Sequence, residues 1–213
     1  MDRKEIVRQG YDKVSYAYRN ERGDDEFSDY ASWLVELTAL VPSAAAILDL
    51  GCGCGVPVAQ SLARDYAVTG VDISPVQIER ARRTVPHATF VCADMSEVDF
   101  PARSFAAIVS FYAIIHLPLP EQPGLLARIH QWLEPHGYAM LIVGSESWTG
   151  VEEDWLGVAG ATMYWSHADS RTYQSWLTQL GFSIQWTRFI PEGQGGHEIL
   201  LAQKSSEQAC CWP

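Results

Sequence analysis

The sequence predicts an α/β fold: a mostly parallel sheet with helices on both faces and an antiparallel element at its end. Three observations carry that prediction. Short apolar runs alternate with helix-length segments between residues 45 and 143, the pattern of parallel strands joined by crossover helices. The first run, Ile47 to Leu50, ends in Gly51-Cys52-Gly53-Cys54-Gly55, as a buried strand does on entering a loop. The chain then closes on two strand-like runs, Phe182–Phe189 and His197–Gln203, separated by IPEGQGG, a gap short enough for a hairpin.

In chain order, residues 5–19 read as a helix with Ile6, Tyr11, Val14 and Tyr18 partly on one side. NERGDDEFSD, residues 20–29, is a polar break, and Tyr30–Leu40 is a helix closed by Pro42. Pro57 suits the first turn of the helix after the glycine loop, where its missing N–H is no loss. Strands follow at Tyr66–Val71, Ala88–Cys92, Phe105–Phe111 and Tyr138–Val143, and helices at Ser74–Val85 and Leu119–Leu133. Residues 144–169 break the alternation with Trp148, Trp155, Met163, Tyr164, Trp165 and His167, punctuated by three glycines. A stretch this long is expected to hold short helices or form a lid. Ser170–Leu180 reads as a helix stopped by Gly181.

The whole reads as a single domain over 1–204. It has a helical cap at 1–40, an aromatic insert or lid at 144–169, and a frayed tail at 205–213.

Charge narrows the partners. Against 26 acidic residues stand 15 Lys plus Arg, for a net charge of −11 with no basic block. That weighs against nucleic acid and against an anionic membrane surface. No run of 18 apolar residues is present to span a bilayer, and the N-terminal stretch lacks a secretory apolar core. Five cysteines, an odd number, do not form a disulfide framework, so a cytoplasmic location is expected.

The strongest chemical signal is Asp49-Leu50-Gly51-Cys52-Gly53-Cys54-Gly55, set between a strand and a helix. Ligands bind at the carboxyl edge of an open parallel sheet, and glycines let the backbone approach them closely. Asp49 at the mouth suits a cationic amine, or simply caps a tight turn. Asp72 ends the next strand, 21 residues after Gly51, about one βαβ step. Its carboxylate suits a pair of ribose hydroxyls, or equally caps the helix starting near Ser74. Asp94 and Met95 end the third strand, where a carboxylate could meet an exocyclic amine and a thioether could pack on a ring.

The dinucleotide fingerprint G-x-G-x-x-G fails, because Val56 and Val58 occupy the two possible last positions. No Gly-Lys-Ser/Thr of a phosphate loop follows. The Cys52/Cys54 pair has no second pair at metal-ligand spacing, so no metal is expected.

Taken together, these segments resemble the class I S-adenosylmethionine-dependent methyltransferases of small-molecule type. ILDLGCGCG is similar to that family's first motif, VTGVDIS to its second, and ADMSEVDFP to its adenine-contacting region. SFAAIVSFYAIIHL and YAMLIVGS resemble its fourth and fifth strands, and HEILLAQ its last. The resemblance implies a Rossmann-like sheet of seven strands with the last antiparallel, and S-adenosylmethionine as cofactor with S-adenosylhomocysteine as product. It implies that Gly51, Cys52, Gly53 and Gly55 approach the methionine and ribose, and that Asp49 helps hold the methionine end. Asp72 and Ile73 would meet the ribose, Asp94 and Met95 the adenine. Phe111 and Tyr112 would line the cavity, and aromatic residues of an N-terminal helix, here Tyr11, Tyr16 and Tyr18, would close over it.

The expected chemistry is direct displacement of the methyl group by an acceptor nucleophile, with the protein supplying alignment and a base. Trp148, Trp155, Tyr164 and Trp165 are candidates to enclose an apolar or aromatic acceptor, or else pack the insert onto the sheet. His116, His167 and His197 are the candidate bases. The chain is expected to act as a monomer or homodimer. A protein acceptor or a non-catalytic binding role are the alternative readings.

Overall fold

A computed structural model describes residues 2–19 and 28–206. Seven strands form one sheet: β1 (Ala46–Leu50), β2 (Ala67–Asp72), β3 (Thr89–Cys92), β4 (Phe105–Ser110), β5 (Leu133–Gly144), β8 (Phe182–Glu192) and β9 (Gly195–Lys204). Two more, β6 (Trp148–Glu152) and β7 (Met163–His167), pair apart from it as an antiparallel hairpin. The helices are α1 (Arg3–Tyr18), α2 (Ser28–Thr38), α3 (Val58–Leu62), α4 (Pro75–Thr84), α5 (Gln122–Trp132) and α6 (Ser170–Gln179).

The sheet runs in the order β3-β2-β1-β4-β5-β9-β8. Pairings from β3 through β5 are parallel, and β9 runs antiparallel to both β5 and β8. The order reverses between β1 and β4, which is where an open parallel sheet leaves a crevice.

Strand periodicity divides the core. Ile47, Val109 and Ile142 enter one apolar layer with Trp33, Leu34 and Leu37 of α2 and Ile78 of α4. Their neighbours Leu48, Ile108 and Leu141 enter the other, with Leu125, Ile129 and Trp132 of α5 and Tyr173 and Leu177 of α6. Successive strand residues point to opposite faces, so a run apolar at every position must be covered on both sides.

A third cluster joins Val7 and Val14 of α1 to Trp155, Ala161, Met163 and Tyr164. Here α1 lies so close to the hairpin that a Cβ at Gly10 would stand 2.4 Å from the Thr162 carbonyl oxygen. The opposite side of α1 is tied to α4: Ser15 donates to Gln77 at 2.8 Å, and the buried Arg80 donates to the Ser15 hydroxyl at 2.8 Å. Thus α1 is built into the molecule at the carboxyl edge of the sheet.

Three elements differ from the sequence expectation. The helix expected over Leu119–Leu133 begins as a 3-10 turn at Leu119–Glu121, and β5 starts directly at Leu133 rather than at Tyr138. An irregularity of pairing between Phe105/Leu133 and Ala107/Tyr138 absorbs the extra residues. The region 144–169, expected to hold short helices or form a lid, is mostly the β6–β7 hairpin, with one 3-10 turn at Trp155–Gly157. The gap IPEGQGG is mostly strand, with β8 reaching Glu192 and β9 starting at Gly195. Of the break expected at 20–29 and the tail expected at 205–213, residues 20–27 and 207–213 lie outside the described residues, while Ser28 and Asp29 open α2 instead of belonging to a break. Among the described residues no helix is long and apolar enough to cross a membrane.

Candidate active site

The loop after β1 turns on Gly51, Gly53 and Gly55, with φ of +78°, +53° and +82°. L-residues with side chains rarely adopt these angles. The loop amides are used: Gly51 and Cys52 donate to the Val71 carbonyl, and Gly53 donates to Asp72 Oδ2 at 2.9 Å. The other Asp72 oxygen accepts from Ser74 N–H at 2.8 Å. Asp72 therefore ties the ends of β1 and β2 together while still bordering open space. Burial pushes its pKa up to about 6 against the opposing backbone hydrogen bonds. Asp49 lies fully buried behind the loop, and burial followed by the Asp72 charge pushes its pKa up to about 8. Its Oδ2 has no hydrogen-bond partner among the described residues.

These strand ends floor a cavity that opens to solvent on one side. Gly51, Gly53, Asp72 and Ile73 come from the first two strand ends, and Asp94 and Met95 from the third. Phe111, Tyr112 and Ala113 follow β4, and Tyr11 and Tyr18 reach over from α1. Lys4 closes one side. Its ammonium lies 2.6 Å from Asp94 and 3.0 Å from Glu121, and donates to Ser96 at 3.1 Å. A Cβ at Gly51 would stand 2.1 Å from the Ala113 Cβ, whereas one at Gly53 would meet nothing nearer than 4.0 Å. The cavity thus has a tight contact at Gly51 and room above Gly53.

A second chamber abuts the first. Tyr11, Tyr18, Tyr112 and His116 border both. Trp155, Trp165 and Tyr30 add aromatic walls, and Arg19, Glu192 and His197 add charge or polarity. Tyr11 stands edge-on to Tyr18, His116 and Trp155 at 5.4 to 5.5 Å, the preferred geometry of packed rings.

His116 is fixed within this wall. Its Nδ1 lies 2.7 Å from the Tyr164 carbonyl, which only accepts, so Nδ1 carries the proton. Nε2 then accepts from the Tyr11 hydroxyl at 3.0 Å. Burial pushes its pKa down to about 4.

Of the residues singled out in the sequence, Tyr11, Tyr18, Gly51, Gly53, Asp72, Ile73, Asp94, Met95, Phe111, Tyr112 and His116 border the first cavity. Trp155, Trp165 and His197 border the second. Asp49, Cys52 and Gly55 support the loop from behind: Cys52 packs in the core, and a Cβ at Gly55 would press on Val85 at 3.1 Å.

Four others stand outside. Tyr16 points away from both cavities, 63% exposed, with its ring under the Arg80 guanidinium. Trp148 is 49% exposed on β6. Tyr164 is buried against α1 with its hydroxyl accepting from Arg3. His167 borders neither cavity, its Nδ1 bonded to the Glu146 carbonyl at 2.7 Å. Lys4, Ala113 and Leu117 in the first cavity, and Arg19, Tyr30 and Glu192 in the second, were not signalled by any motif. Among the described residues no cluster of His, Cys, Asp or Glu could hold a metal.

A doubly wound sheet with glycines and acidic strand ends at its topological switch point is the layout of a Rossmann-like nucleoside-binding domain. Residues 47–137 match the methyltransferase domain family. Aklanonic acid methyltransferase DauC of Streptomyces sp. strain C5 is 33% identical over 142 residues, covering 63% of this chain and 62% of that protein. The chain therefore spans less than two thirds of that relative's length.

Two solved structures share the fold. Magnesium protoporphyrin IX methyltransferase of Synechocystis PCC 6803, crystallised with S-adenosylmethionine, superposes with a TM-score of 0.72 at 18% identity, covering 96% of this chain and 98% of its own. The 1,6-didemethyltoxoflavin-N1-methyltransferase of Burkholderia thailandensis gives 0.71 at 21% identity, covering 95% and 89%. The match over residues 47–137 and the relative named for aklanonic acid make this chain similar to the class I S-adenosylmethionine-dependent methyltransferases.

Proposed function

We propose that this chain transfers a methyl group from S-adenosylmethionine to a small molecule held in the aromatic chamber. One observation carries the reading: Tyr11, Tyr18, Tyr112 and His116 form a wall common to both cavities, so ligands in the two would meet there. The residues present fit the cofactor. Gly51 and Gly53 would bear on its methionine and ribose, Asp72 on the ribose hydroxyls, and Asp94, Ile73 and Met95 on the adenine. The unpartnered, buried Asp49 Oδ2 supports a cationic ligand at the loop above it. When bound, the cofactor's sulfonium supplies an electrophilic methyl group without a metal.

The chain's own part is alignment and exclusion of water. Phe111, Tyr112 and Leu117 line the cavity beyond the sheet edge, and α1 covers it with Tyr11 and Tyr18. Trp155, Trp165 and Tyr30 suit a flat apolar or aromatic acceptor. Relatives named for aklanonic acid, magnesium protoporphyrin IX and 1,6-didemethyltoxoflavin support a small-molecule acceptor. The net charge of −11 argues against nucleic acid. Free Cys52, Cys54 and Cys92 support a reducing, cytoplasmic setting.

Calorimetric titration with S-adenosylhomocysteine, with NAD as control, tests the reading. Saturation near one per chain is expected, with no NAD binding. Asp72→Asn should weaken binding about tenfold or more, the scale of a lost hydrogen bond to a charged group. No binding by folded wild type would overturn the proposal.

A further inference from the structure

Of three histidines near the chamber, only one is both oriented and open. His116 has Nδ1 on the Tyr164 carbonyl and Nε2 on the Tyr11 hydroxyl. His167 stands behind, bonded to the Glu146 carbonyl. His197 borders the chamber with Nδ1 3.0 Å from Glu192 Oε2, and Nε2 finds no hydrogen-bond partner among the described residues. The other Glu192 oxygen accepts from the Tyr112 hydroxyl at 2.6 Å.

The strand register builds this chain of contacts. Glu192 pairs with Gly195 and His197 with Ile190, which makes Glu192 and His197 diagonal neighbours on one face of the β8–β9 ladder. His197 also pairs with Gly144 at the carboxyl end of β5. An antiparallel β9 thus delivers its first residues to the ligand edge of the parallel sheet. Tyr112, which anchors Glu192, borders the cofactor cavity as well as the chamber.

We propose that His197 is the base that takes the proton from a phenolic hydroxyl of a planar aromatic acceptor, with Glu192 and Tyr112 as its positioning residues. This inference rests on the methyl-transfer reading above. The Glu192 carboxylate accepts from Nδ1–H, so the neutral imidazole presents Nε2 as its unprotonated nitrogen. Burial pushes Glu192 up, but its bonds to His197 and Tyr112 outweigh that and hold it below the ordinary carboxylate range. A carboxylate there stabilises the imidazolium formed by proton transfer.

The balance is complete. The phenolic O–H proton passes to Nε2 and the oxygen forms a bond to the methyl carbon. The carbon–sulfur bond breaks with its electron pair left on sulfur, and the imidazolium later releases the proton to water. Trp155, Trp165, Tyr18 and Tyr30 supply ring faces for the acceptor. The other titratable or charged groups facing His197 or its chamber are Glu192 on its own hairpin, His167 on β7, Tyr112 and His116 after β4, Arg19 and Tyr11 with α1.

The test uses alizarin, a planar dihydroxyanthraquinone whose phenolate absorbs to the red of its phenol. It is added to the full chain saturated with S-adenosylhomocysteine, at a pH where the free dye is neutral. Wild type should quench tryptophan fluorescence and develop the phenolate band. His197→Gln should keep the quenching and lose the band. Glu192→Gln should move the bound-dye titration to higher pH. With labelled S-adenosylmethionine, any dye turnover should fall about 100-fold or more in His197→Gln, the scale of one general base, with KM for the cofactor unchanged. Absent homocysteine-product binding by wild type overturns the methyl-transfer reading itself. Intact product binding with no dye binding, or with the same band in His197→Gln, overturns this inference alone.

Discussion

Replacing Asp49 by Asn isolates one buried carboxyl whose ionisation opposes folding. Its pKa is pushed up to about 8, first by burial and then by Asp72, from an ordinary 3.8. Between pH 5 and pH 8 the unfolded chain has therefore lost this proton while the folded chain retains it. The folded state binds more protons, so this group makes stability fall as pH rises, by at most about 1.4 kcal/mol per unit. Over three units the contribution approaches about 4 kcal/mol.

His116, pushed down to about 4 by burial, works the other way: its unfolded form binds the extra proton, so stability rises with pH toward 6.5. His130 and His167 are also lowered. These groups are common to both proteins and cancel in the difference. Urea unfolding followed by tryptophan fluorescence at each pH should show Asp49→Asn gaining on wild type, by up to about 4 kcal/mol between pH 5 and pH 8. Saturating S-adenosylhomocysteine, whose ammonium favours the ionised carboxylate, should shrink the gap. Parallel stability curves for the two proteins would refute the argument.

Gly51→Ala sets a Cβ 2.1 Å from the Ala113 Cβ at a φ of +78°. Left-handed strain and overpacking together predict a loss of about 2–5 kcal/mol, read as a drop of roughly 5–15 °C in thermal midpoint. Lys4→Met removes the contacts to Asp94, Glu121 and Ser96. Limited proteolysis should then cut within α1 at least several-fold faster, with roughly 2 kcal/mol lost from global stability. Tyr11→Phe leaves His116 Nε2 without its donor. A loss of about 1–3 kcal/mol is expected in denaturant melts.

The alternation of strands and helices was legible because a buried parallel strand must be apolar on both faces, as Ile47/Leu48 and Leu141/Ile142 are. The reach of β5 back to Leu133 was not, because Glu134, Pro135 and His136 are exposed and carry no strand pattern. The hairpin at 148–167 was hidden for a similar reason. Most of β6 faces solvent, and its partner strand holds aromatics suited equally to a lid helix. Helix phase already separated Tyr16 from the pair: Tyr11 and Tyr18 are seven residues apart and share a face, while Tyr16 lies about 160° from Tyr18 and faces out.

The sequence by itself determined the sheet, the glycine loop and the acidic strand ends, because these depend on local backbone conformation and period-two burial. Only the tertiary structure decided which aromatic residues and which histidines border the two cavities. Tyr164 and Trp165 are neighbours on one strand and must point to opposite sides, but where α1 lies sets which side is the chamber. The partners of Lys4, more than ninety residues away in Ser96 and Glu121, and the pairing of Glu192 with Tyr112 across eighty, follow from packing between distant segments. No local pattern encodes such contacts, because each residue type at those positions is also common on an ordinary solvated surface.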